Sequence, residues 1–183
     1  MNKFILVTAM LLAGIVSSCA KDKTDDRNPY GNGPSTPVPV SLQGTWMYGN
    51  FSLTEYWTQN PADYLGNALE LAIAFKFNAN GTFEQYFTSR TVILGVVTYN
   101  QSVSKGTVEI DEATRTIITY TNSSHYKQTK NGQTIVDRDL NKNEITSPTT
   151  TYSFQTGTEP NGTKAIYLKL NGTSSPLTFL QKS

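Results

Sequence analysis

The chain is short of the groups that do covalent and metal chemistry. In 183 residues it has a single cysteine, Cys19, and a single histidine, His125. One cysteine cannot close an internal disulfide, and without a Cys/His cluster there is no zinc-type donor set. Gly-rich phosphate loops and EF-hand spacings are missing as well, so neither metal nor cofactor is expected. Charge of one sign is also lacking. The 15 Lys+Arg face 14 Asp+Glu, no basic stripe forms, and nucleic acid is not an expected partner. The one long apolar run, Phe4 to Val16, covers 13 residues. A bilayer-spanning helix needs ~20.

That run has Lys3 before it and Ser17-Ser18 after it, the three parts of a secretory signal, predicted as residues 1–18. Val16-Ser17-Ser18-Cys19 resembles the bacterial lipobox, an aliphatic residue three positions before a cysteine. The resemblance implies cleavage before Cys19, diacylation of its thiol, and attachment to membrane lipid. Two or more acyl chains meet the physical need, because one alone binds a bilayer only marginally. The following Ala20-Lys21-Asp22-Lys23-Thr24-Asp25-Asp26 resembles the acidic segment of surface-exported Bacteroidetes-type lipoproteins. This implies a lipid-anchored outer-membrane protein, exposed at the cell surface. A solvated, charged tail is the competing reading of the same residues.

Residues 19–40 carry the anchor and then Pro29, Pro34, Pro37 and Pro39 with Gly31 and Gly33, and almost no large apolar side chains. The composition predicts a disordered tether. Extended at ~3.1 Å per residue, it would hold a domain up to ~60 Å from the lipid.

Residues 41–183 have the size of one domain, and their pattern is β. Asn-Gly recurs at 80–81, 131–132, 161–162 and 171–172, and it favours type I′ hairpin turns because both residues tolerate positive φ. Three of the four read Asn-Gly-Thr and are taken as turns rather than glycosylation sites. Leu71, Ile73, Phe75 and Phe77 alternate with Ala72, Ala74 and Lys76 as a half-buried strand should. Val92 to Val97 is apolar on both faces, as in a strand covered on two sides or a run that crosses a strand boundary. Hairpins without crossover helices give an all-β, antiparallel up-and-down meander of about 8–10 strands, which hides its edges best as a closed barrel. A β-sandwich is the second choice.

One segment departs from this pattern. Ser52-Leu53-Thr54-Glu55 forms a capping box, and Asn60-Pro61 offers a second helix start. Residues 52–69 are therefore predicted as a short helical lid between the first two strands.

Leu42-Gln43-Gly44-Thr45-Trp46, at the head of the meander, resembles the Gly-x-Trp signature of lipocalins and their calycin relatives. The resemblance implies a lipocalin-like barrel with Gly44 and Trp46 as structural residues, Trp46 packing across the closed end. The strand–helices–strand order is similar to the fatty-acid-binding branch, where the helices lid the mouth. No Arg stands on the last strand to stack on the tryptophan; only Lys182 is near.

No catalytic constellation is visible, and the chain is not expected to be an enzyme. Ser124 and His125 are adjacent and would point to opposite faces of a strand. Glu84, Glu109, Asp111 and Glu112 show no pairing that spacing can test, and Asp137-Arg138-Asp139 with Lys142 and Glu144 reads as a solvated loop. Aromatics, by contrast, are plentiful: ten Tyr, eight Phe and two Trp. Tyr56, Trp57 and Tyr64 fall on the expected lid, and Phe75, Phe77, Phe83 and Phe87 on the expected inner face. Such groups suit apolar ligands or sugar faces. The leading expectation is a lipocalin-like lipoprotein binding a small apolar or amphipathic ligand in its barrel through these seven residues. The alternative is a filled barrel serving as a scaffold for an envelope protein partner.

Overall fold

A computed structural model describes residues 28–59 and 71–182. Cys19, the leader, residues 20–27 and Tyr64 lie outside the described residues.

Nine strands form one antiparallel sheet: β1 Gly44–Tyr48, β2 Leu71–Phe77, β3 Thr82–Ile93, β4 Val96–Asp111, β5 Thr116–Lys130, β6 Gln133–Asp139, β7 Thr149–Thr158, β8 Lys164–Leu170 and β9 Leu177–Lys182. The order is β4-β3-β2-β1-β9-β8-β7-β5-β6, and pairing of β4 with β5 closes the ring. Eight strands make the wall. β6 is an addition: along one edge of β5, Thr116–Tyr120 pair with β7 and His125–Lys130 pair with β6. The wall is uneven in height. β1, β2, β8 and β9 have five to seven residues, whereas β3, β4 and β5 have twelve to sixteen. The long strands rise past the rim as an arm.

Period-two alternation sorts the side chains. Trp46, Phe75, Phe77, Phe83, Val108, Ile117, Phe154, Ile166 and Phe179 come from eight strands and meet inside the ring. Phe75 and Phe77 stack with centroids 5.6 Å apart, and Phe179 packs against Phe75 at 5.6 Å. Trp46 is buried in this core and its indole N–H donates to the Leu42 carbonyl at 2.8 Å. Gly44 has φ +102°, which a side chain would strain. Its place in the Gly-x-Trp motif therefore has a backbone reason.

Three expectations are corrected. Residues 28–40 are docked rather than free. The Thr36 N–H donates to Val108, the Val38 N–H donates to Ala79, and Val38 is 3% exposed within the core cluster. Proline made this stretch resemble a tether, yet pre-set φ angles also lower the entropic cost of docking an extended chain. The helical lid is not formed over 52–59. That stretch is a set of turns with one α-type bond, from the Gln59 N–H to Glu55 at 2.8 Å, and the rest of the expected lid, 60–69, lies outside the described residues. Half of the capping box exists, with the Glu55 N–H donating to Ser52 Oγ at 3.1 Å. Asp137–Asp139 are on strand β6, not in a loop.

The turns divide by type. Asn131-Gly132 is a two-residue turn with φ +47° and +80°, the expected type I′ form. At Asn80-Gly81 and Asn161-Gly162 only the glycine has positive φ, and connections of four and five residues bring in a type I turn. The run Val92–Val97 is not a covered strand. It is the tip of the β3–β4 hairpin, turning on Leu94-Gly95 with φ +49° and +79°. A left-handed leucine costs about 1–2 kcal/mol.

Candidate functional site

The outer face of β2–β5 is built differently from the inner one. On β2 it presents Ala72 and Ala74, whose small side chains leave a hollow. Phe51 and Tyr56 fill it, packed against Met47, Val103 and Tyr86. The Tyr56 hydroxyl reaches the β3–β4 ladder, donating to the Phe87 carbonyl and accepting from the Ser102 N–H at 3.1 Å. Burial pushes the Tyr56 phenol up, so it stays neutral. The Gln101 amide, also buried, donates to the Tyr56 carbonyl at 2.5 Å.

Trp57, half-buried, stands beside Tyr56 with ring centroids 4.9 Å apart and meets His125 edge-on at 4.8 Å. Lys127 fixes this point from β5, donating to the Trp57 carbonyl at 2.7 Å. His125 is clasped on both sides: Nδ1 lies 2.7 Å from Asp139 and Nε2 2.8 Å from Asp137. Desolvation alone would lower the imidazole pKa, but the bonds and charges of the two carboxylates outweigh it, and the net shift is upward. An imidazolium donates through both nitrogens here and keeps no lone pair for proton abstraction. Arg138 anchors this end of β6 by a two-pronged pair with Glu144, 2.7 and 2.9 Å. The Arg138 bond holds the Glu144 carboxyl down at about 2.

A second polar knot lies on the same outer face. Glu84 is buried yet accepts from Tyr30 at 2.6 Å and Tyr86 at 2.5 Å. Burial would raise its pKa. The two phenol bonds and the Lys105 and Lys76 charges outweigh burial and hold it below the ordinary carboxylate value. Burial, then Glu84 itself, pushes the Tyr30 phenol up to about 12. Tyr30 belongs to the docked N-terminal stretch, whose Pro29 carbonyl accepts from Asn122 at 3.1 Å and Ser123 at 2.8 Å.

Residues 53–58, 28–32 and 137–142 thus wall a groove of about 1390 Å³ over the outer face of β4 and β5. Trp57, Tyr86 and His125 line it with the amides of Asn32, Asn122 and Asn141. Of the residues expected to bind ligand, Tyr56 and Trp57 are on this outer wall and do not lid the barrel mouth. Phe75, Phe77 and Phe83 are core side chains, at most 2% exposed. Phe87 is half-buried on the inner face of β3, opposite Ile73. His125, Asp137 and Asp139 were not expected together. The hairpin centred on Asn131-Gly132 would pair His125 with Arg138. A bulge at Ile135 shifts the register by one, and His125 faces Asp139 instead.

Neither protein-family models nor curated proteins match this chain.

Proposed function

We propose that this chain is a lipid-anchored, lipocalin-like envelope lipoprotein that binds its ligand in the outer-wall groove, with the barrel as a rigid support. The observation that carries the reading is the contrast between the buried Phe75, Phe77 and Phe83 cluster inside the barrel and the groove beside Trp57 and His125. The ligand class is amphipathic. Trp57 offers an apolar ring, and Asn32, Asn122, Asn141 and Ser123 offer amide and hydroxyl partners, a combination that suits a sugar ring. The volume exceeds the ~300–1,000 Å³ of compact ligand pockets, which favours an extended occupant such as an oligosaccharide. Both His125 nitrogens are engaged by carboxylates, so the reading is binding rather than catalysis. The same open size supports the second reading, an envelope protein partner laid along the groove.

The anchor rests on Val16–Cys19. With docking from residue 28, the tether shortens to Cys19–Arg27, nine residues, which span at most about 30 Å. Mass spectrometry of the mature protein should find acyl chains on Cys19, and an unmodified Cys19 sinks the anchor. For the groove, Trp46 is core and Trp57 borders the site. Oligosaccharide titrations should change the emission of Trp57, and the change should vanish in Trp57→Phe. A ligand retained in native mass spectrometry with equal occupancy in wild type and Trp57→Phe would place binding elsewhere.

A further inference from the structure

We infer that the tip of the β3–β4 hairpin is a second membrane contact, dipping into the headgroup–acyl boundary of a lipid bilayer. Among the described residues, β2 pairs with β3 as far as Ser89, opposite Leu71. Beyond it, Arg90–Ile93 and Val96–Tyr99 continue as a ribbon. Val92 is 51% exposed, Ile93 69%, Leu94 100% and Val96 39%. Ile135, the bulge residue of the neighbouring β5–β6 hairpin, adds another exposed aliphatic side chain.

The form of this patch selects its occupant. A protein partner covers one face of a ribbon, but here Val92 and Ile93 point to opposite faces, and Leu94 projects from the apex. Only a medium that surrounds the tip can take all of them out of water. The turn argues the same way. Its neighbour Asn131-Gly132 adopts the same left-handed pair with Asn at φ +47°, at little strain. The β3–β4 turn places a fully exposed leucine at φ +49° instead, and folding gains nothing from it.

Charge fits a lipid surface as well. From Glu84 to Glu109 the chain has no carboxylate between these two and only Arg90 and Lys105 as charges. Between Glu112 and Asp137 it has Arg115, Lys127 and Lys130 and again no carboxylate. Arg90 and the exposed Lys130 flank the tip, where phosphate headgroups would lie. From Arg90 to Ile93 is about 10 Å along a strand, the depth of the headgroup–acyl boundary. Each strand of the tip is far shorter than the ~9–11 residues that cross a bilayer. The tip therefore dips without spanning.

Chain length agrees with this orientation. Pro29 is bound beside Ser123, whose register partner is Lys105, and Arg90 pairs with Tyr99, six residues further up β4. The docked N-terminus then lies about 20 Å below the headgroup plane. Nine residues from Cys19 to Arg27 cover that distance. This step alone rests on the lipid-anchor reading; insertion of the tip does not.

The test uses the full chain as its host processes it, mixed with vesicles of phosphatidylethanolamine and phosphatidylglycerol carrying spin-labelled lipid. An environment-sensitive dye goes on Thr91→Cys or, as reference, on Asn161→Cys. Asn161 is in the β7–β8 connection, at the opposite end of the barrel. The dye at 91 should shift to the blue and be quenched about threefold more than the dye at 161. Leu94→Asn, which restores an Asn-Gly turn, should fold at least as stably and lose most of that quenching. A water-like signal at 91 with vesicles present overturns the proposal, as does quenching that Leu94→Asn leaves unchanged. A mature protein whose mass shows no acyl chains on Cys19 overturns only the acyl anchor, so the two readings fail separately.

Discussion

The two faces of the β2–β4 wall come from the same strands and have opposite uses. Inside, Phe75, Phe77 and Phe83 alternate into a packed core. Outside, Ala72 and Ala74 are small, Glu84 is a buried carboxylate, and the space above them is taken by chain from 51–59 and 28–32. The inner face spends its side chains on stability. The outer face supplies a seat for loops, and those loops bring Trp57 to His125. The barrel interior is thus closely packed, while the loops rest on its outer wall.

Five changes would break or sharpen that contrast. Phe75→Ala empties the inner stack and should destabilise by about 3–5 kcal/mol in chemical denaturation, while Trp57 emission in the folded protein stays as in wild type. Ala74→Leu is the outer counterpart. It should destabilise by about 1–3 kcal/mol through overpacking, and here Trp57 emission should change because Phe51 and Tyr56 must shift.

Tyr30→Phe removes one phenol from buried Glu84 and should lose about 1 kcal/mol, with earlier proteolysis before residue 33. The sign of its pH dependence is fixed. The folded Glu84 pKa lies below the ordinary carboxylate value, so its contribution is present above that ordinary value and is lost as pH falls through the folded one. Wild-type acid unfolding should therefore be steeper than that of Glu84→Gln.

The smallest effect is at His125, which sits on the rim. Its folded pKa is raised from 6.5, so its stabilisation is complete below 6.5 and lost as pH rises through the folded value. NMR titration should show Asp139→Asn moving the imidazole pKa back down; an unmoved titration would remove the clasp from the account of the groove.

Much of this architecture was legible because it follows from periodicity. The alternation along β2 predicted that Phe75 and Phe77 enter the core, though not that Leu71 is exposed or that Ala72 and Ala74 are buried, and Gly44 and Trp46 marked the first strand. What failed to show were features set by single backbone events. The His125 clasp depends on one bulge at Ile135, which no alternation count foresees. Residues 28–40 looked like tether because proline content measures what a segment cannot form, not whether it can dock. Val92–Val97 broke the alternation, and the reason was a turn with leucine where the recognisable signal has asparagine. For the anchor at Cys19 and for Tyr64, the chemistry is still carried by the sequence alone.

The division of β5 between two partners has a dynamic consequence. Ring closure uses only Thr116–Tyr120 against β7, and β6 hangs on His125–Lys130. The arm can therefore open without unzipping the barrel, which makes it a separate unit of local unfolding. Amide hydrogens of Gln133–Asp139 should exchange with solvent well before those of β2, β8 and β9. An occupant of the groove that touches Asp137 and Asp139 would slow that exchange, reporting its presence from the least protected strand of the molecule.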